Sequence, residues 1–282
     1  MTRLYSLVPL TAIELTPPAL VAAASRTGYD AVSLRLSPFR AGEVQHPMFD
    51  HSPMLLETEA RLRDTGLDVL DIEVMLLTPG RDVQDFKRVF ETAMRLGARN
   101  ALTLIDIADH SVAVDKFGQL CELAAPFGIS CALEFAAWLG VGGIQAANAI
   151  VSEARQANGA MLLDPFHLIR SGGTIIDIAS IDPSRIRYAQ FCDASAMAPA
   201  TTAAISEEAR FDRLLPGEGG LPLREFVAAL PPGIPFALEV PNRKLAETLE
   251  LDERLRRTLA AAKRVAGDPE QANAPSRPGI IR

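Results

Sequence analysis

The chain has 282 residues, 48% of them hydrophobic, with a formal net charge of −7 and a pI near 5.2. That is the size of one (β/α)8 barrel with ample apolar residues to fill it, and the composition excludes a disordered chain. No apolar run approaches the roughly 18 residues that span a bilayer, so no membrane association is expected. The acidic balance lacks the basic stripe that neutralises phosphates, so nucleic acid is not expected as a partner either.

The N-terminal run MTRLYSLVPLTAIEL enters a strand over 4–8 almost at once. It has no apolar core followed by a small-residue cleavage site, so no signal peptide is expected. A helix over 16–27 leads to a strand over 31–35, AVSLR. Helix 52–65 and strand 69–75, VLDIEVM, follow, then helix 82–96 and strand 100–105. The second half gives helix 111–127, strand 130–134, helix 142–157 and strand 160–164. A short helix at 176–181, strand 186–191, helix 222–230, strand 235–240 and helix 243–265 complete the series. GYD, TGLD and LGA each place a glycine where a left-handed residue ends a helix. Eight alternations that each return to a parallel strand fit a closed barrel. An open doubly wound sheet shares that alternation, but VPLTAIELTPP carries neither of the glycine motifs that cradle nucleotides. Residues 1–266 are therefore expected to form one barrel, and 267–282, polar with three prolines, a disordered tail.

Cys121, Cys131 and Cys192 lie among apolar neighbours without metal-binding spacing. They read as buried thiols in a reducing, cytoplasmic protein.

Four strands end in an oxygen donor: Glu134 in CALEF, Asp164 in MLLDPFH, Gln190 in YAQFCD and Glu239 in FALEVP. They stand about 25 to 50 residues apart, roughly one strand–helix unit each, and a barrel points all its strand C-termini to one face. A carboxylate at the end of a buried apolar strand needs a compensating partner. Three of them with an amide make an all-oxygen set suited to one divalent cation, Mn²⁺ or Mg²⁺ with Co²⁺ tolerated. Such a cation can take adjacent oxygens of a hydroxy-ketone and stabilise the enediolate left when the α-carbon loses its proton. Glu134 and Glu239 are then placed to act as acid and base on opposite faces. A barrel that had lost its chemistry and only bound ligands would have no reason to keep three buried carboxylates.

The runs LLDPFHLIRSGG, RIRYAQFCDA and LLPGEGGLPLREFVAALP with FALEVPN resemble the sugar phosphate isomerase/epimerase superfamily, the xylose isomerase-like TIM barrels. The resemblance covers about residues 28 to 262. It implies one Mn²⁺ or Mg²⁺ held by Glu134, Asp164, Gln190 and Glu239, proton transfer by the two glutamates, and His167 against a substrate oxygen. Relatives often form dimers or tetramers, which implies a homodimer or homotetramer. Their third ligand is usually His. Glutamine at 190 resembles the 3-dehydroshikimate dehydratases of the same superfamily. Four histidines are too few for the His-rich three-metal cluster of the endonuclease IV branch. The expected function is a metal-dependent isomerase or epimerase of a sugar, sugar acid or related hydroxy-ketone, with a dehydratase-like lyase as the alternative.

Arg35, Glu73, Trp138 and one of Arg210 and Arg213 are expected to contact the small-molecule substrate with His167. Asp193 is expected to position a metal ligand or water behind the site. His46, His51 and His110 read as surface residues. The loops 36–51, 106–111 and 194–215, which would select the substrate, carry no diagnostic motif.

Overall fold

The computed structural model describes residues 3–39 and 42–268. Its strands are β1 (Tyr5–Leu7), β2 (Ala31–Arg35), β3 (Asp68–Leu77), β4 (Asn100–Ile105), β5 (Ser130–Leu133), β6 (Gly159–Leu163), β7 (Ile186–Phe191) and β8 (Phe236–Leu238). All pairings are parallel in chain order, and β1 pairs with β8 to close the barrel. The helices are α1 (Pro17–Thr27), α2 (Pro53–Thr65), α3 (Lys87–Arg95), α4 (His110–Ala124), α5 (Ile144–Glu153), α6 (Pro165–Arg170), α7 (Thr202–Phe211), α8 (Leu223–Ala229), α9 (Arg243–Thr248) and α10 (Leu251–Ala266). Gly28 and Gly66 end α1 and α2 with φ of 86° and 69°, the left-handed geometry expected from their sequence positions.

Strand side chains alternate between two cores, as the two-residue period of a strand requires. Val32, Leu34, Cys131, Leu133, Met161, Leu163, Phe191, Phe236 and Leu238 point outward to the helices. Ala31, Leu102, Ala132, Ala160, Leu162, Tyr188 and Ala237 fill the barrel, and a register shift between β2 and β3 lets Leu70 join them beside Asp71. The inward phase mixes small and large residues, so the alanines leave room for the Tyr188 ring. Polar groups share this interior. Tyr188 Oη donates to Asp71 Oδ2 at 2.5 Å, and Ser6 and Ser33 hydroxyls lie 3.2 Å apart.

Four segments depart from expectation. The loop expected at 194–215 contains α7, capped by Thr201, whose side chain accepts from Ala204 N, and anchored by buried Ile205 and Ala209. A further short helix, α6, starts immediately after Asp164. The helix expected over 176–181 is a 3-10 turn, Ile175–Ser180. The expected terminal helix divides into α9 and α10 because Leu249 and Glu250 are extended. Of the expected tail, Gly267 caps α10 and Asp268 accepts a hydrogen bond from Tyr5 Oη at 2.7 Å. The rest of it, 269–282, lies outside the described residues. No helix among the described residues is long and apolar enough to cross a membrane.

Tyr188→Phe would leave the fully buried Asp71 without its phenolic donor. Urea unfolding should show a loss of about 1–3 kcal/mol, the cost of one unsatisfied buried polar group. An unchanged unfolding midpoint would remove the Asp71–Tyr188 bond from the account of barrel stability.

Candidate active site

The strand phase that fills the barrel with Ala132, Leu162, Tyr188 and Ala237 delivers Glu134, Asp164, Gln190 and Glu239 two residues further on. Glu134, Asp164 and Glu239 each follow the last residue of β5, β6 and β8, and Gln190 is the penultimate residue of β7. All four are buried at the C-terminal mouth. There a cavity of about 350 Å³ opens, bordered by Glu134, His167, Arg213 and Glu239 and, on the β2–β3 side, by Arg35 and Glu73. Much of its wall is apolar, with Leu10, Leu102, Leu104, Trp138 and Leu139.

Arg213 lies at the centre. Its Nη1 donates to Asp164 Oδ2 at 2.5 Å, and its Nη2 lies 2.9 Å from Glu239 Oε2. Nη2 also lies 3.3 Å from His167 Nε2, and Nε donates to Ala209 O at 2.8 Å. Cys192 is buried as expected, and its Sγ is 3.4 Å from Arg213 Nη1. Because a guanidinium only donates, His167 accepts at Nε2 and carries its proton on Nδ1, which has no partner. Burial lowers the His167 pKa to about 4, against the pull of Asp164, so the ring is neutral near pH 7. It packs edge-on against Trp138 and Phe166, each 5.3 Å away between centroids.

The placement of Arg213 is built by tertiary contacts. Arg213 N donates to Pro241 O, Arg213 O accepts from Asn242 Nδ2, and Leu214 pairs with Asp193 across an antiparallel bridge. A bidentate Arg170–Glu208 pair, both bonds 2.8 Å, ties α6 to α7. The expectation for Asp193 is corrected here. Its carboxylate accepts from the backbone N–H groups of Ala194, Gly217, Gly219 and Leu221, so it holds the P-G-E-G loop after Arg213 and not a metal ligand. Gly219 approaches so closely that a Cβ there would sit 2.2 Å from Ala194 O. Glu73 lies within β3, which runs on to Leu77, and borders the cavity as expected for a substrate contact. Its Oε2 takes Arg35 Nη2 at 3.2 Å, and its Oε1 has no partner. Of the two expected arginine candidates, both border the cavity and Arg213 reaches the carboxylates. Trp138 and His46 border the cavity too, whereas His110 pairs with Glu153 on the surface. Sequence reasoning missed Asp71, although an Asp on the inward phase of VLDIEVM is a signal for it. It had no means to find the Arg170–Glu208 tie, since both of its helices went unpredicted.

Burial dominates the electrostatics. It raises the pKa of Glu73 to about 7, of Glu239 to about 7 and of Asp71 to about 6, and lifts Glu134 well above the carboxylate range. Burial also works against ionised Asp164, but Arg213, His167 and the Phe166 N–H overcome it and hold Asp164 below its ordinary value. Glu134 has no such cation. Its Oε1 is buried without a partner, as are both polar atoms of Gln190. Ligand atoms of Glu134, Asp164 and His167 lie within 4.8 Å of one another. Fully ionised, Glu134, Asp164 and Glu239 would exceed the single Arg213 by two negative charges, and without a cation burial keeps the proton on Glu134. That donor set fits a divalent cation, with oxygen ligands from Glu134, Asp164, Gln190 and Glu239.

A model of the xylose isomerase-like TIM barrel family matches residues 21–265. Among curated proteins, the chain is 29% identical over 177 residues to a 3-dehydroshikimate dehydratase of Pseudomonas aeruginosa, covering 56% of this chain and 27% of that one. It is 25% identical over 158 residues to an inosose isomerase of Bacillus subtilis, covering 52% and 55%. The chain thus spans about a quarter and about half of the lengths of these relatives. Among solved structures, the IolI protein with a bound zinc atom superposes with a TM-score of 0.78 at 20% identity, covering 95% of this chain and 98% of that one.

Arg213→Met should destabilise metal-free protein by about 3–5 kcal/mol in urea unfolding, because two buried carboxylates lose their counter-charge. Arg213→Lys should recover part of that loss. A wild-type midpoint for Arg213→Met would mean that the pairing contributes nothing. The raised pKa values of Glu73, Glu239 and Asp71 carry a pH signature. Their contribution to stability is complete below their ordinary values of 4.5, 4.5 and 3.8, and is lost as pH rises through about 7, 7 and 6. His167 acts oppositely, contributing fully above 6.5 and losing its share as pH falls through about 4. Three carboxylates outweigh one imidazole, so chelator-treated protein should melt higher at about pH 5 than at about pH 8. The reverse order of melting temperatures would contradict these shifts.

Proposed function

The chain belongs to the xylose isomerase-like TIM barrel family, and we propose that within it the protein is a divalent-cation-dependent enzyme that enolises a small hydroxy-ketone. The observation that carries this reading is the pair of strand-end glutamates in unequal states. Glu134 has a free, buried oxygen, while Glu239 is tied through one oxygen to Arg213. When bound, the cation, Mn²⁺ or Mg²⁺, supplies positive charge for adjacent carbonyl and hydroxyl oxygens. Glu134, which a bound cation would hold ionised, removes the proton beside the carbonyl on one face, and Glu239 returns a proton on the other. Neutral His167, with its free Nδ1–H, donates to a substrate oxygen. Arg213 keeps Glu239 and Asp164 oriented, and Trp138 with Leu102 and Leu104 limits water at the reacting carbon. Return of the proton to the neighbouring carbon, or to the opposite face of the same carbon, gives isomerisation or epimerisation.

A second outcome of the same proton removal is loss of a β-hydroxyl as water. Gln190 favours it, and so does the similarity to a 3-dehydroshikimate dehydratase. The similarity to an inosose isomerase supports the first outcome. Both begin with the same base and the same donors.

Mn²⁺ titration of chelator-stripped protein should reveal one site per chain, lost or weakened at least about tenfold in Glu134→Gln. Absence of a saturable site in the wild type would refute the reading. With inosose or 3-dehydroshikimate in heavy water, isomerisation predicts deuterium entering the recovered carbon skeleton without loss of water. Dehydration predicts instead a conjugated product with new ultraviolet absorbance.

A further inference from the structure

Among the described residues, the arginines and glutamates around the cavity pair off, and two remain. Five arginines among the described residues border it: Arg35, Arg210, Arg213, Arg243 and Arg254. Arg35 pairs with Glu73 and Glu43, Arg213 with Asp164 and Glu239, Arg243 with Glu207, and Arg254 with Glu14. Arg210 has no carboxylate partner among the described residues. Of the glutamates that border the cavity, Glu134 alone has no arginine within ion-pair distance. It belongs to the proposed cation site, so among the described arginines and glutamates around the cavity Arg210 is the one that neither the fold nor the cation satisfies.

Its setting is specific. Arg210 is half-buried on the last turn of α7, one turn before Arg213, so the two arginines reach one cavity at different depths. Its guanidinium carbon lies 5.0 Å from the Phe211 ring centroid, and Arg243 sits over the same ring at 4.7 Å. Contact with the ring face steadies the guanidinium but leaves its five N–H donors unused.

We infer that Arg210 anchors an anionic group and that the substrate is an acid, a hydroxy-ketone carrying a carboxylate toward the mouth. The inference rests on the proposed function for the ketone end and on Arg210 for the acid end. One unpaired guanidinium suits one carboxylate charge, bound through parallel N–H donors. A phosphate ester carries close to two charges and would bring the second beside Glu14 and Glu43, which border the same cavity. The largely apolar wall suits a carbon skeleton between the two polar ends.

The test compares shikimate, a cyclic hydroxy-acid, with its neutral methyl ester. Neither contains the ketone, so neither is consumed. Calorimetric titrations use the full chain with and without Mn²⁺, as wild type, Arg210→Gln and Arg210→Lys. Wild type should bind the acid about tenfold more tightly than the ester, as expected for one charge-assisted guanidinium–carboxylate contact. Arg210→Gln should abolish that preference while its Mn²⁺ affinity stays that of wild type, and Arg210→Lys should restore part of it. Equal binding of acid and ester, binding of neither, or a preference that survives Arg210→Gln would each overturn the inference. Loss of the Mn²⁺ site in wild type would refute the proposed function instead, while the acid–ester comparison still reads Arg210.

Discussion

The contact on which the mouth of this barrel depends is the guanidinium of Arg213 between Asp164 and Glu239. Two buried carboxylates from different strands would repel each other and resist burial. A fully buried cation between them offsets both effects, and its remaining donors reach Ala209 O and His167. The arrangement is strongly directional, because a planar fork fixes the angle between the two carboxylates as well as their distance. What surrounds it serves to hold that fork. Asp193 grips four backbone amides of the following loop, and Arg170–Glu208 ties the two helices that carry His167 and lead to Arg213.

The same contact sets the electrostatic character of the proposed site. Arg213 leaves Glu134 uncompensated while it neutralises part of the charge on its neighbours. A site with three free buried carboxylates would be hard to fold without metal, and a site with matched charges would have no use for one. The intermediate state, with Glu134 protonated by burial until a cation displaces its proton, favours folding and still offers oxygen ligands to a divalent cation. On the facing half of the barrel, Arg35 serves Glu73 in a comparable way, which keeps a second acidic cluster inside the same mouth.

The barrel and the four strand-end donors were legible in the sequence because both follow from local periodicity. The strand phase runs Ala132 to Glu134 and Ala237 to Glu239, and a two-residue period leaves no freedom about which side faces inward. Strand β3 shows the limit of that reasoning: phase placed Glu73 inward, but the register shift against β2 that brings Leu70 inward beside Asp71 could not be told from VLDIEVM. The segment 194–215 was opaque for another reason. Its helix α7 is short and packs through only a few buried residues, so its pattern is weak beside that of the longer barrel helices.

By itself the sequence determined the closed barrel, the mouth at which its strands end, and the oxygen donors offered there, because hydrophobic periodicity and strand phase act within a few residues. Only the tertiary structure decided that Arg213 sits among those donors, that Asp193 serves a loop, and that Arg210 is left without a partner. The first two depend on ion pairs and backbone hydrogen bonds between segments about 20 to 50 residues apart. Which of several arginines meets which carboxylate is settled by packing and desolvation across the whole mouth, and no local pattern encodes that.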